Sequence, residues 1–203
     1  MVTNPLTVLV ATTNVGKAQE YQAMLVGLPC RFVTLREADV TGQVPETGET
    51  ILENAILKAK GYARMSGQLT LADDSGLEVD ALGGEPGVRS ARYAGESASD
   101  EERNEYLLSK LAGVPEGRRQ ARFRCVIAVA TPAGVVETSE GVCEGSIAFS
   151  ARGDNGFGYD PLFRLAGDTR HMAELAMEEK NRVSHRGRAM DGARPILARL
   201  ACA

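Results

Sequence analysis

Leu6-Thr7-Val8-Leu9-Val10-Ala11-Thr12-Thr13-Asn14-Val15-Gly16-Lys17 is the stretch on which the fold class turns. Leu6 to Ala11 is a short β-branched run suited to a buried strand. A polar loop follows, and then a segment with Tyr21, Met24 and Leu25 at helical spacing that ends near Gly27-Leu28-Pro29. Strand, loop and helix in that order open an α/β fold. Such a loop points backbone N–H groups and the positive end of a helix at one spot, and Lys17 adds a full charge, so a phosphate fits there. It is not a Walker loop, because the first glycine of that motif is missing and Ala18 stands where Ser or Thr is required. Taken alone, Lys17 reads equally well as a solvated lysine at a helix start, with Thr12 and Asn14 as turn and cap residues.

Cys30 to Leu35 is the next predicted strand, and Gln68 to Ala72 another, ending in Asp73-Asp74-Ser75-Gly76 before Leu77 to Leu82 resumes as a strand. Ligands of open α/β sheets gather where strands end. Two adjacent carboxylates repel one another, so a cation or a raised pKa is needed to hold both there. The bland alternative is an Asp-rich turn. Between these segments a helix carries Ile51, Leu52, Ala55, Ile56, Ala59 and Ala63 at core spacing, opened by a Thr50/Glu53 capping box. Glu49 and Glu53 therefore read as helix-start charges, whereas Glu46, in the loop before the cap, stays a candidate ligand.

Further along, Ser99 and Glu102 form a second capping box for a helix running to about Leu111. Arg89 and Arg92 are placed to meet phosphate or a partner surface, but as bare arginines read first as surface residues. Arg118, Arg119, Arg122 and Arg124 lead into a strand from Ala121 to Ala130, joined by a hairpin turn at Thr131 to Gly134 to a strand from Val135 to Val142. Gly156-Phe157-Gly158-Tyr159-Asp160 lets backbone approach a flat ligand while an aromatic face packs on it, or is a glycine-rich turn with core aromatics. The last polar cluster, Glu178 to Arg188, holds Lys180, His185 and Arg186 and precedes a C-terminal helix that Ser184 is placed to cap.

A chain of 203 residues with 43% hydrophobic and 25% charged residues is enough for one compact globular domain, read here as 1–203. A net charge of −4 and scarce aromatics near the arginine cluster argue against a nucleic-acid or anionic-membrane coat. Cys30, Cys125, Cys143 and Cys202 show neither disulfide-scaffold nor zinc spacing and suit a reducing cytoplasm. Met1 to Pro5 carries no export signal, and no apolar run approaches the ~20 residues of a membrane span.

Thr12-Thr13-Asn14-Val15-Gly16-Lys17, Glu46-Thr47-Gly48 with Glu53-Asn54-Ala55, Asp73-Asp74-Ser75-Gly76, Ser90-Ala91-Arg92-Tyr93, Gly156 to Pro161 and Ser184-His185-Arg186-Gly187, in that order, resemble the inosine triphosphate pyrophosphatase family over nearly the whole chain. The resemblance implies an elongated mixed central β-sheet with helices forming two lobes around a deep nucleotide cleft, usually as a homodimer. It implies Mg²⁺-dependent hydrolysis of ITP, dITP and XTP to the nucleoside monophosphate and pyrophosphate, which cleanses the nucleotide pool. By position, Glu46 and Asp74 would bind Mg²⁺, and Asp74 would activate the attacking water. Thr12, Thr13, Asn14, Val15, Gly16 and Lys17 would cradle the triphosphate with Lys180 and Ser75. Phe157 would stack on the base, and Gly158, Tyr159, Asp160, His185 and Arg186 would line its edge. Asp73 and Glu49 would help through water. Thr13 is a mild departure from the usual Ser or Gly. A pyrophosphatase for pyrimidine or modified triphosphates, and a nucleotide-binding module without turnover, are the alternatives.

Overall fold

The computed structural model describes residues 6–201; the Met1–Pro5 segment and Cys202 lie outside the described residues. Among the described residues six strands form one mixed sheet in the order β2-β1-β3-β4-β5-β6, where β1 is Leu6–Val10, β2 Cys30–Thr34, β3 Leu69–Val79, β4 Gln120–Ala130, β5 Val136–Ile147 and β6 Phe163–Leu165. β1 pairs in parallel with both β2 and β3, while β5 and β6 are antiparallel. The α-helices of the described residues are α1 Val15–Met24, α2 Ile51–Ser66, α3 Asp100–Lys110, α4 Met177–Val183 and α5 His185–Ala201. By contact the chain divides into a first unit, Met1–Asp74, Cys125–Gly141 and Arg186–Ala203, and a second, Ser75–Arg124 and Val142–His185.

In the first unit, Val8, Val10, Leu69, Leu71, Cys125, Ile127 and Val129 lie on one face and pack with Tyr21 and Met24 of α1 and Ala189, Met190, Ala193 and Leu197 of α5. On each of the three strands these residues are two apart, as expected of one face of a sheet. α2 opens on a full capping box: the Thr50 side chain accepts from Glu53 N–H, and Glu53 Oε2 accepts from Thr50 N–H at 3.1 Å. Asn54, 1% exposed, holds Gly48 by both peptide groups, accepting from its N–H at 2.8 Å and donating to its carbonyl at 3.3 Å. The Glu46 loop is thereby anchored to α2.

In the second unit, Leu77, Val79, Leu107, Leu111, Phe123, Ile147, Tyr159, Leu162 and Phe163 share a core. The Ser99/Glu102 capping box of α3 is present. The β4–β5 turn, which belongs to the first unit, closes through Thr131 N–H to Val135 O and Gly134 N–H to Thr131 O, both at 2.9 Å. Three arginines of the cluster, Arg119, Arg122 and Arg124, are engaged within the second unit. Arg119, 2% exposed, donates to the carbonyls of Leu111, Val114, Ile147 and Ala148, while Arg122 and Arg124 pair with Glu78, Asp80 and Glu144.

The expected strand end at Asp73-Asp74 is not there. β3 runs unbroken from Leu69 to Val79, and only Asp80–Leu82 leaves the sheet, as a 3₁₀ turn. The strand that ends is β1, whose last residue, Val10, pairs with Leu71. Gly76 is likewise a strand glycine rather than a turn glycine: a Cβ there would run into the Gly87 carbonyl.

Candidate active site

Because side chains alternate along β3, Asp73 and Asp74 face opposite sides of the sheet. Asp73 continues the Leu69–Leu71 face and meets α1 and α5. Lys17 Nζ is 2.8 Å from Asp73 Oδ2, Arg186 Nε is 3.8 Å from the same oxygen, and Arg186 also forms an ion pair with Glu20. Burial works against the ionised carboxyl of Asp73, but Lys17, Arg186 and Lys58 outweigh it and hold the pKa at about 2. Burial, with Asp73 adding to it, pushes the neighbouring Cys125 thiol up to about 12.

Asp74 meets α2. Lys58 Nζ lies 3.4 Å from Asp74 Oδ1 and 3.3 Å from Glu46 Oε2, so two carboxylates share one ammonium. The other oxygen, Asp74 Oδ2, is buried and has no hydrogen-bond partner among the described residues. Burial raises the Asp74 pKa above the ordinary carboxylate value; Lys58 and Lys17 oppose the rise, and Glu46 and Asp73 add to it. On Lys58, burial disfavours the charge, yet Asp74, Asp73 and Glu46 together raise its pKa.

This donor set suits a small divalent cation. Among the described residues no three His, Cys, Asp or Glu side chains converge into an all-protein cage. Mg²⁺ does not ask for one, since it binds through one or two carboxylates, with substrate phosphate and water completing the shell. Asp74, with its unpartnered oxygen, and Glu46, whose side chain is 38% exposed, could supply those carboxylates.

The loop before α1 is built as its sequence suggests. Asn14 caps the helix, its Oδ1 accepting from Lys17 N–H at 2.9 Å, and Thr12 Oγ1 accepts from Asn14 N–H at 3.2 Å. Thr13, Asn14 and Val15 are exposed, and Gly16 and Lys17 are half-buried. Ser75, also half-buried, follows Asp74 directly.

The second unit gathers a different set. Lys180 Nζ is 2.5 Å from Asp160 Oδ2 and 4.7 Å from the centroid of the half-buried Phe157 ring. Asp160 Oδ2 also accepts from Phe157 N–H at 2.9 Å. Gly156, at φ +77°, leaves no room for a Cβ beside that carboxylate. Tyr159 is core: it is 4% exposed and donates its hydroxyl to Ser90 O at 2.9 Å. His185 is buried and stacks on Phe123 with centroids 4.7 Å apart.

Lys180 and Arg186 are both engaged by carboxylates. Lys180, expected on phosphate, is paired with Asp160 beside Phe157; Arg186, expected at the base edge, is 2% exposed and turned to Glu20 and Asp73. In both cases a buried cation requires a carboxylate within reach. Lys58, Glu20, Asp100 and Asn104 were missed. Lys58 lies three residues after Ala55 and four before Tyr62, and Asn104 three before Leu107, so each polar side chain interrupts a buried helical stripe, the signal that could have found it.

The Ham1 family model matches residues 8–196. A Desulforamulus reducens protein described as a dITP/XTP pyrophosphatase is 50% identical over 192 residues, covering 95% of this chain and 96% of its own. One of the same description from Bacillus subtilis is 46% identical over 182 residues, covering 90% and 92%. A HAM1 protein structure from Coxiella burnetii superposes with a TM-score of 0.86 at 42% identity, over 96% of this chain and 99% of that one. With a family model spanning almost all of its length, and relatives matched end to end at half identity, this chain belongs to the Ham1 family.

Proposed function

We propose that this chain hydrolyses noncanonical purine nucleoside triphosphates, ITP, dITP and XTP, to the nucleoside monophosphate and pyrophosphate. Relatives described as dITP/XTP pyrophosphatases at about 50% identity support the substrate class. The observation that carries the chemistry is the contrast between two adjacent carboxylates. Asp73 is held ionised by Lys17 and Arg186, whereas Asp74 is buried, has a raised pKa and keeps one oxygen without a hydrogen-bond partner among the described residues. Neighbouring carboxyls in such different surroundings divide their roles: Asp73 is engaged by two cations, and Asp74 has an oxygen left to meet a cation and a water.

Asp74 is thus the general base. It takes a proton from the attacking water as the new P–O bond forms and the anhydride oxygen between the α and β phosphates departs with pyrophosphate. Glu46 and Asp74 would hold Mg²⁺, which when bound supplies positive charge for the phosphates and the leaving pyrophosphate. Lys58 keeps Glu46 and Asp74 oriented, and Thr12 to Lys17 with Ser75 receive the phosphates. Phe157 stacks on the base, with Gly158, Asp160 and His185 at its edge; Lys180 and Arg186 act through Asp160 and Asp73. A single functional domain over 1–203, a homodimer and a cytoplasmic location belong to the same reading. Among the described residues no helix is long and apolar enough to cross a membrane.

The test is pyrophosphate release from ITP by the wild type and by Asp74→Asn, with Mg²⁺ and with chelator. Release that depends on added Mg²⁺ and falls about 100-fold or more in Asp74→Asn, with ITP binding kept, is expected. Near-normal turnover in the variant would reassign the base; binding of ITP without any release would favour the binding-module alternative.

A further inference from the structure

Both peptide groups of Gly158, in the Phe157 loop, are held by side chains of a single helix. Asp100, at the start of α3, accepts from Gly158 N–H through Oδ2 at 2.6 Å. Asn104, one turn later and 9% exposed, donates through Nδ2 to Gly158 O at 3.0 Å. Residues four apart project from the same helix face, so the pair acts as a two-pronged clamp. Gly158 sits at φ +63°, a conformation an L side chain adopts poorly, and here external bonds hold it. Asp100 is itself fixed by an ion pair with Arg103, whose guanidinium also donates to the carbonyls of Ala91 and Ala98.

The peptide that is clamped directly follows the Phe157 ring. On its other side Phe157 N–H is fixed by Asp160, so backbone rotation about the aromatic residue is restrained from both ends. A ring that must stack on a flat ligand needs its orientation set before the ligand arrives, and supporting hydrogen bonds provide that.

We propose that Asp100 and Asn104 are positioning residues for base recognition: through the Gly158 peptide they orient Phe157, and so set the affinity for the purine without touching it. The proposal rests on the reading that Phe157 meets the base. A purely structural role for α3 would lower stability and affect every ligand alike. A positioning role moves KM for the purine triphosphate and leaves base-independent binding untouched.

The experiment compares wild type, Phe157→Ala, Asp100→Ala, Asp100→Asn and Asn104→Ala, measuring kcat and KM for ITP and inhibition by inorganic tripolyphosphate, which has no base. Thermal melts establish which variants are folded. Asp100→Ala and Asn104→Ala are expected to raise KM for ITP about tenfold, the size of one lost hydrogen bond to an ordered group, with kcat within about twofold and tripolyphosphate inhibition unchanged. Asp100→Asn, which keeps an acceptor oxygen for the Gly158 N–H, is expected to recover most of the loss. Should Asp100→Ala not fold, Asn104→Ala and Asp100→Asn carry the comparison.

If Phe157→Ala raises KM and the folded clamp variants do not, the clamp is overturned while base stacking stands. If Phe157→Ala itself leaves KM unchanged, the base-stacking reading fails first. Equal loss of ITP and tripolyphosphate affinity would also overturn the proposal.

Discussion

Asp73, with Lys17 at 2.8 Å and Arg186 at 3.8 Å, is a carboxylate whose charge the first unit depends on. Its folded pKa, about 2, lies below the ordinary 3.8, so its contribution to stability is present above about pH 4 and is lost as pH falls through about 2. Asp73→Asn should therefore cost about 2 kcal/mol or more at pH 7, since it also leaves two cations facing a neutral group. Denaturant titrations at pH 7 and pH 3 would show the gap between variant and wild type narrowing at the lower pH. A gap independent of pH would mean that packing, not charge, is what Asp73 supplies. Asp74 has the opposite sign. Its folded pKa is raised, so the stabilising form is the protonated one, and that contribution disappears as pH rises through the folded pKa. Asp74→Asn in metal-free protein should consequently melt at or above the wild-type temperature at pH 7. A lower melting temperature would show that its ion pair with Lys58 outweighs its burial.

At the level of elements, local signals were legible and long-range ones were not. The capping boxes at Thr50/Glu53 and Ser99/Glu102 lie within four residues of chain, so nothing distant decides them, and both formed. The turn at Thr131 to Gly134 was legible for the same reason. β3 was misread because Asp73 and Asp74 interrupt its apolar run; what lets them stay in the strand are Lys17, Lys58 and Arg186, distant in sequence and supplied by three different helices. The motif residues could be picked out by resemblance, but the partners Lys180 and Arg186 take could not, because a buried cation's neighbours are set by tertiary packing. Gly76 offers a check on β3. A Cβ there would collide with the Gly87 carbonyl, in the stretch where Ser90 Oγ accepts from Leu77 N–H at 2.8 Å and donates to Gly87 O at 2.6 Å. Gly76→Ala should cost about 1–3 kcal/mol by overpacking, read as a lowered denaturation midpoint with an unchanged slope. A neutral outcome would mean that the Gly87 turn moves aside at little cost.

At the scale of the whole molecule, each unit carries chemistry of its own. The first holds carboxylates, lysines and a helix-start loop, which suit phosphate and a divalent cation; the second holds Phe157 with Asp160, Lys180 and the clamped Gly158 peptide, which suit a flat base. A 6-keto purine presents an N1 donor and an O6 acceptor, and adenine presents the reverse. A site built for the former leaves buried groups unpaired with the latter, which is how discrimination by orders of magnitude arises. Exclusion of guanine, which shares the 6-keto edge, falls to the fit around its 2-amino group. The most direct measurement is kcat/KM for pyrophosphate release, with Mg²⁺, from ITP, dITP, XTP, GTP, ATP and dTTP under one set of conditions. The account predicts that ITP, dITP and XTP exceed ATP and dTTP by about 100-fold or more; equal values for ATP and ITP, or a preference for dTTP, would contradict it.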